Sequence, residues 1–281
     1  MRRQASGGWA LGLHALLMLA AASCVPAPQP GQPVSYARSN RGWLIHGVAL
    51  PNRGAGYVRA RPGDATRYGV PALTGMVQRI AATVDEARPG GFPLRVGDLS
   101  SPAGGRHYRH GSHRTGRDVD FIFYATDLAG TPVRGRGWVA YDRFGIGVEP
   151  AEYGGATVRF DDARNWALVR AMLVDEADVQ WIFVSRGLKA RLLRYAAVHE
   201  SDPEVLRRAA WVVHQPSHGN PHADHFHVRI ACGAEQVALG CVDRGPVWPW
   251  FHDRTQKLDE PPRPLTDEEA VALITRPLNP T

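Results

Sequence analysis

Six histidines and one aspartate fall on two short, widely separated segments, and the fold has to account for both. His107, His110 and His113 share a Gly-rich loop, Ser100 to Arg117, which runs into a strand-like stretch holding Asp120. His222, His225 and His227 stand at the head of a second such stretch, His225 to Ile230. Alternate residues of a strand point to the same face. The two imidazoles of His225-Phe226-His227 therefore face one way while Phe226 turns to the core. In Asp118-Val119-Asp120 the two acids likewise share a face and Val119 is buried. Asp120 is then placed to bind a metal, and Asp118 to support the neighbouring loop. Gly116 supplies the turn that lets His113, seven positions before Asp120, come back to it. Catalytic zinc takes nitrogen and oxygen ligands from three side chains and leaves a fourth position open. One histidine of the His225/His227 pair can bind metal while the other stands beside that open position. His14, His46, His199 and His252 lack such company and read as structural or exposed, and His214 and His218 lie near the second segment without a pairing that makes them ligands.

The rest of the chain fits a globular domain with tails. Its 281 residues suit one core of about 200 residues. Hydrophobic residues at 44% and charged residues at 21% are ordinary for a soluble domain. The net charge of +6 includes Arg2 and Arg3, and the mildly basic remainder suits an anionic polymer. No run of five basic residues occurs, which argues against nucleic acid.

The N-terminus has the architecture of an export signal over residues 1–23. Arg2 and Arg3 precede an apolar stretch, Trp9 to Ala22, that is too short to span a membrane comfortably and ends in small residues. Small residues directly before Cys24 resemble a lipoprotein cleavage site, which predicts a lipid on Cys24, a membrane partner through it, and a periplasmic protein anchored at the outer membrane. Residues 24–38 then read as a Pro-rich tether. Of the three cysteines, Cys232 and Cys241 remain, outside any CxxC spacing, and export predicts a local disulfide between them.

Along residues 39–258, Trp43 to Leu50 reads as a buried strand or apolar turn, and Pro93 to Leu99, Val119 to Tyr124, Val179 to Ser185 and His225 to Ile230 as strands. Helices are expected over Ala72 to Ala87, Asp161 to Glu176 (capped by Asp161 or Asp162), Leu188 to His199 and Pro203 to Val213. Thr126 to Gly155 reads as irregular, and 259–281 as a Pro-rich tail with a short helix opened by a capping box at Thr266-Asp267-Glu268-Glu269. There is no βαβ rhythm. The expected class is α+β: a small antiparallel sheet carrying the zinc site, flanked by helices.

Three stretches carry a family resemblance: Ser101-Pro102-Ala103-Gly104-Gly105, the run His110 to Asp120, and His222-Ala223-Asp224-His225-Phe226-His227-Val228-Arg229. Together they resemble the penicillin-insensitive murein endopeptidases, zinc peptidases related to lysostaphin-type enzymes, D-Ala-D-Ala metallopeptidases and the hedgehog domain. The resemblance implies zinc on His113, Asp120 and His227, with His225 beside the attacking water and His110 and His222 around the site. It also implies peptidoglycan as partner and cleavage of its D-alanyl–meso-diaminopimelyl crosslink. Relatives often carry a histidine where this chain has Val70, between Gly69 and Pro71. No HExxH is present to supply a glutamate base, which leaves His225 as the general base. His110 or His222 is placed to donate to a developing oxyanion. Rival readings with the same cage are a D,D-carboxypeptidase or dipeptidase, and a non-catalytic zinc-stabilised wall-binding domain.

Overall fold

The computed structural model describes residues 29–252. The export signal, Cys24 and the tail helix lie outside the described residues. Folded structure begins before the expected boundary at Ser39: β1 (Val34–Arg38) pairs antiparallel with β2 (Arg41–Ile45), and Val34 is buried. The stretch read as one buried strand or turn, Trp43 to Leu50, is split: Trp43 to Ile45 ends the hairpin strand β2, and Val48–Ala49 forms a separate short strand. Leu44 and Leu50 are buried, but Trp43 is exposed.

Short strands follow: β3 (Val48–Ala49), β4 (Arg53–Gly54), β5 (Tyr57–Arg59) and β6 (Tyr68–Gly69). Helix α1 (Pro71–Ala87) starts with Pro71 in its first turn, where a missing N–H costs nothing, and stops before Pro89. It buries Leu73, Val77, Ile80 and Val84, the residues whose spacing predicted it. Next come β7 (Leu94–Val96), β8 (Asp118–Ile122), β9 (Ala125–Thr126), β10 (Pro132–Val133), β11 (Ile146–Val148) and β12 (Thr157–Phe160). The segment expected to be irregular thus holds strands of a second, four-stranded sheet in the order β10-β9-β12-β11. They are short and lie among glycines and arginines, so no alternation announces them.

Helix α2 (Asp162–Val174) is capped by Asp161, whose carboxylate accepts from the Arg164 N–H. After β13 (Val179–Phe183) come α3 (Arg186–His199) and α4 (Pro203–Val212), the latter capped by Asp202. β14 (Val213–His214), β15 (His225–Ile230) and a short α5 (Ala234–Ala238) complete the described chain.

The main sheet runs β14-β13-β15-β8-β7-β5-β4. Its centre, β13-β15-β8-β7, is antiparallel; the pairs β14·β13 and β5·β7 are parallel. Helices and sheets together make the expected α+β class. The register of β15 against β8 sets Phe226 opposite Phe121 and Val228 opposite Val119, all fully buried in the core with residues of α1, α2, α3 and α4. Phe226 also meets Phe123 edge-on at 4.7 Å between ring centroids. Truncating a buried phenylalanine of this kind to alanine costs about 3–5 kcal/mol. The cost matters here because Phe226 fixes the register of its two histidine neighbours.

Candidate metal centre

The other face of the same two strands holds the polar set. His227 lies opposite Asp120 and Arg229 opposite Asp118 in the ladder, and His225 is two residues from His227 on the same face. The histidine loop folds over this face. His113 is fully buried with φ of 61°, a left-handed conformation uncommon outside glycine, and Gly116 at φ 74° turns the chain on into β8. His222, at φ 57°, adopts the same conformation at the head of β15.

Asp120 is the meeting point. His113 Nε2 is 3.2 Å and His225 Nε2 3.4 Å from its Oδ1, His227 Nδ1 is 3.8 Å from the same oxygen, and His110 Nε2 is 3.3 Å from its Oδ2. Two three-residue sets offer ligand atoms within 4.8 Å of one another: His110, His113 and Asp120, and His222, His225 and His227. All six residues named from the sequence are therefore brought together. His107 joins the loop cluster, its ring 5.6 Å from that of His113. His218 lies on the cleft wall, whereas His214 packs against Trp181.

The cluster fits a metal ion. Among the described residues, Nε2 of His113, both oxygens of Asp120 and Nε2 of His225 are buried and lack any hydrogen-bond partner. Each such orphan costs about 1–3 kcal/mol, so several converging on one point ask for a cation. Ligands 2.0–2.1 Å from a tetrahedral ion stand about 3.3 Å apart; His113 Nε2 and Asp120 Oδ1 are 3.2 Å apart, and His227 Nδ1 stands farther off at 3.8 Å. Electrostatics agree. Burial lowers the His113 pKa, but the Asp120 charge outweighs it and leaves the imidazole raised, while Asp120 itself is held far below the usual carboxylate range despite burial, chiefly by His113. Burial pushes His227 down to about 3, leaving it neutral and able to coordinate, and pushes His222 to about 4.

The supporting residues were less visible in the sequence. Asp118, expected to support the neighbouring loop, instead meets the adjacent strand: its Oδ1 is 2.8 Å from His227 Nε2 and 2.7 Å from Arg229 Nε. Asp224 Oδ1 is 2.8 Å from His225 Nδ1, so the Nε2 edge of that ring faces Asp120. Asp98, fully buried, accepts from Thr66 Oγ1 at 2.8 Å and Arg109 Nε at 2.6 Å and holds His110 Nε2 at 2.9 Å. Trp138 meets His225 edge-on at 5.0 Å, with Arg61 stacked over its ring. Asp224 could have been found from its place beside His225. Asp98 and Trp138 stand alone in loops and carry no local signal. The site opens into a cleft of about 440 Å³ walled by Trp138, Phe183, Asn220 and His222. The expected Cys232–Cys241 disulfide is present just after β15.

An α+β domain with histidines and aspartates converging at the floor of an open cleft defines a protein built to hold a metal against a bound substrate. The chain belongs to the penicillin-insensitive murein endopeptidase family, whose model matches residues 35–249. It is 28% identical to the penicillin-insensitive murein endopeptidase of Haemophilus influenzae over 86% of this chain and 79% of that protein. It is also 28% identical to the proteins of that name from Escherichia coli O1:K1, covering 86% of this chain and 82% of the relative, and Salmonella paratyphi C, covering 85% and 81%.

Proposed function

We propose that the protein is a zinc metallopeptidase that hydrolyses peptide crosslinks of peptidoglycan at the D-alanyl–meso-diaminopimelyl bond. The observation that carries this reading is the different tethering of the two strand-mates. Asp118 occupies Nε2 of His227, which turns its Nδ1 toward Asp120; Asp224 occupies Nδ1 of His225, which turns its Nε2 toward the same centre. His113, Asp120 and His227 would hold the zinc, each ligand fixed from behind or by burial. When bound, zinc supplies a Lewis acid that polarises the scissile carbonyl and brings the pKa of water to about 7.

His225 then acts as general base, taking a proton from the attacking water at Nε2 and returning it to the leaving amine. Burial lowers the pKa of this imidazole, but Asp120 and Asp224 together raise it, as suits a group that must accept a proton. His110, anchored by Asp98, and His222 flank the centre, where a donor stabilises the developing oxyanion. A purely structural metal site needs no such additional histidines, which is why the peptidase reading is preferred to a wall-binding module. Export by residues 1–23 and a lipid on Cys24 would place the enzyme in the periplasm at the outer membrane, next to its substrate.

A crosslinked muropeptide dimer and its uncrosslinked monomer test this reading. The zinc-loaded protein should convert dimer to monomers, lose that activity to a chelator and regain it with zinc. Release of terminal D-alanine from the monomer, with the dimer left intact, would instead identify a D,D-carboxypeptidase.

A further inference from the structure

A second cleft, of about 260 Å³, adjoins the metal centre and shares Ser112 and Arg229 with the first. Ser112 immediately precedes the ligand candidate His113, so the two clefts run on from one another past the edge of the site. Four arginines line the second cleft, Arg38, Arg117, Arg229 and Arg244, against one acid, Asp243.

Two of these cations are already matched. Arg117 is buried and spends its guanidinium on Asp243 Oδ1 at 2.5 Å, Ile230 O and Ser35 Oγ. Asp243 is consumed by that pair and by the Cys232 N–H. Arg229 is held on Asp118 through Nε and Nη2, both 2.7 Å from Oδ1. Its guanidinium is thereby locked in place, with donors left over at the junction of the two clefts. Arg38 and Arg244 are different, for among the described residues their side chains have no hydrogen bond or ion pair. Unpaired guanidiniums gathered in one concavity repel each other, and each presents a planar fork that matches a carboxylate.

We infer that this cleft is an anion subsite in which Arg38 and Arg244, with Arg229 at the threshold, bind a free carboxylate of the peptide beyond the scissile bond. The inference rests on the peptidase reading for the identity of the peptide. Stem peptides carry side-chain and terminal carboxylates, and a crosslinked pair extends past its scissile amide on both sides. The subsite would determine which end of the crosslink enters which cleft, acting on recognition and not on the chemical step.

The test uses the full zinc-loaded chain, as wild type and as the double variant Arg38→Ala/Arg244→Ala, on crosslinked muropeptides with stem carboxylates either free or amidated. Wild type should prefer the free-carboxylate substrate. The double variant should lose about tenfold or more in kcat/KM on it, mainly through KM, and treat both substrates alike, in line with loss of charge-assisted hydrogen bonds. Arg38→Lys/Arg244→Lys should recover part of the loss. Equal kcat/KM for wild type and double variant on the free-carboxylate substrate would overturn the subsite. Equilibrium binding of the uncrosslinked stem peptide, free or amidated, separates this from the peptidase reading. If wild type cuts nothing, a tighter fit for the free form that vanishes in the double variant still supports the subsite, and identical affinities for both forms overturn it.

Discussion

Nε2 of His227 stands 2.8 Å from Oδ1 of Asp118, an aspartate 109 residues earlier in the chain and two residues before Asp120 on its own strand. This contact selects which nitrogen of His227 faces the centre. A carboxylate behind a ligating imidazole fixes its tautomer and raises its basicity. Asp118→Asn should therefore weaken zinc binding by about 10–100-fold while the domain stays folded. Competition against a chelator of known affinity measures this, and an unchanged zinc affinity would remove Asp118 from that role.

The pair His225 and His227 should separate under mutation. His225→Ala is expected to keep close to one zinc per chain and to lose about 10²–10⁴-fold in the rate of muropeptide hydrolysis. His227→Ala should lose both metal and activity. Metal analysis beside a rate measurement distinguishes the two. A His225→Ala protein that cuts at the wild-type rate would direct the base role to His222 or His110.

The disulfide closes a short loop, with its cysteines nine positions apart, and stabilises by about 2–3 kcal/mol. The same loop also holds the first hairpin, since the Ala37 N–H donates to Gly240 O and the Val242 N–H to Ala37 O. Cys232→Ser/Cys241→Ser should lower the urea midpoint accordingly, with no change in zinc affinity. A variant as stable as wild type would show that the remaining contacts of the hairpin suffice.

Much of the centre was legible because strand alternation is a strong constraint. Phe226 and Val119 had to be buried if His225, His227, Asp118 and Asp120 shared the opposite face, and the register of β15 on β8 has that arrangement. Helices α1 and α2 followed from apolar spacing, with Asp161 resolving as the cap of α2, and α3 and α4 from stretches rich in Arg, Leu and Ala. The hairpin of β1 and β2 was hidden for a physical reason. It follows directly on a Pro-rich run, and Ala37 sits in a left-handed conformation that breaks the expected alternation. Asp98 was invisible because its partners come from two loops, Thr66 from one and Arg109 and His110 from the other, that only tertiary folding brings together on it. The choice between the two nitrogens of His227 is not written in any local pattern.

Digestion of purified sacculi by the zinc-loaded protein, at several values between pH 5 and 9, separates a peptidase from a wall-binding domain. After the treated sacculi are cut into muropeptides with a muramidase, mass spectrometry should show crosslinked dimers giving way to monomers with a newly freed diaminopimelyl amine. The same products should be absent with a chelator or with Asp120→Ala. A protein that holds about one zinc per chain yet leaves the crosslinked dimers undiminished across that range would contradict the peptidase and favour a metal-stabilised wall-binding domain.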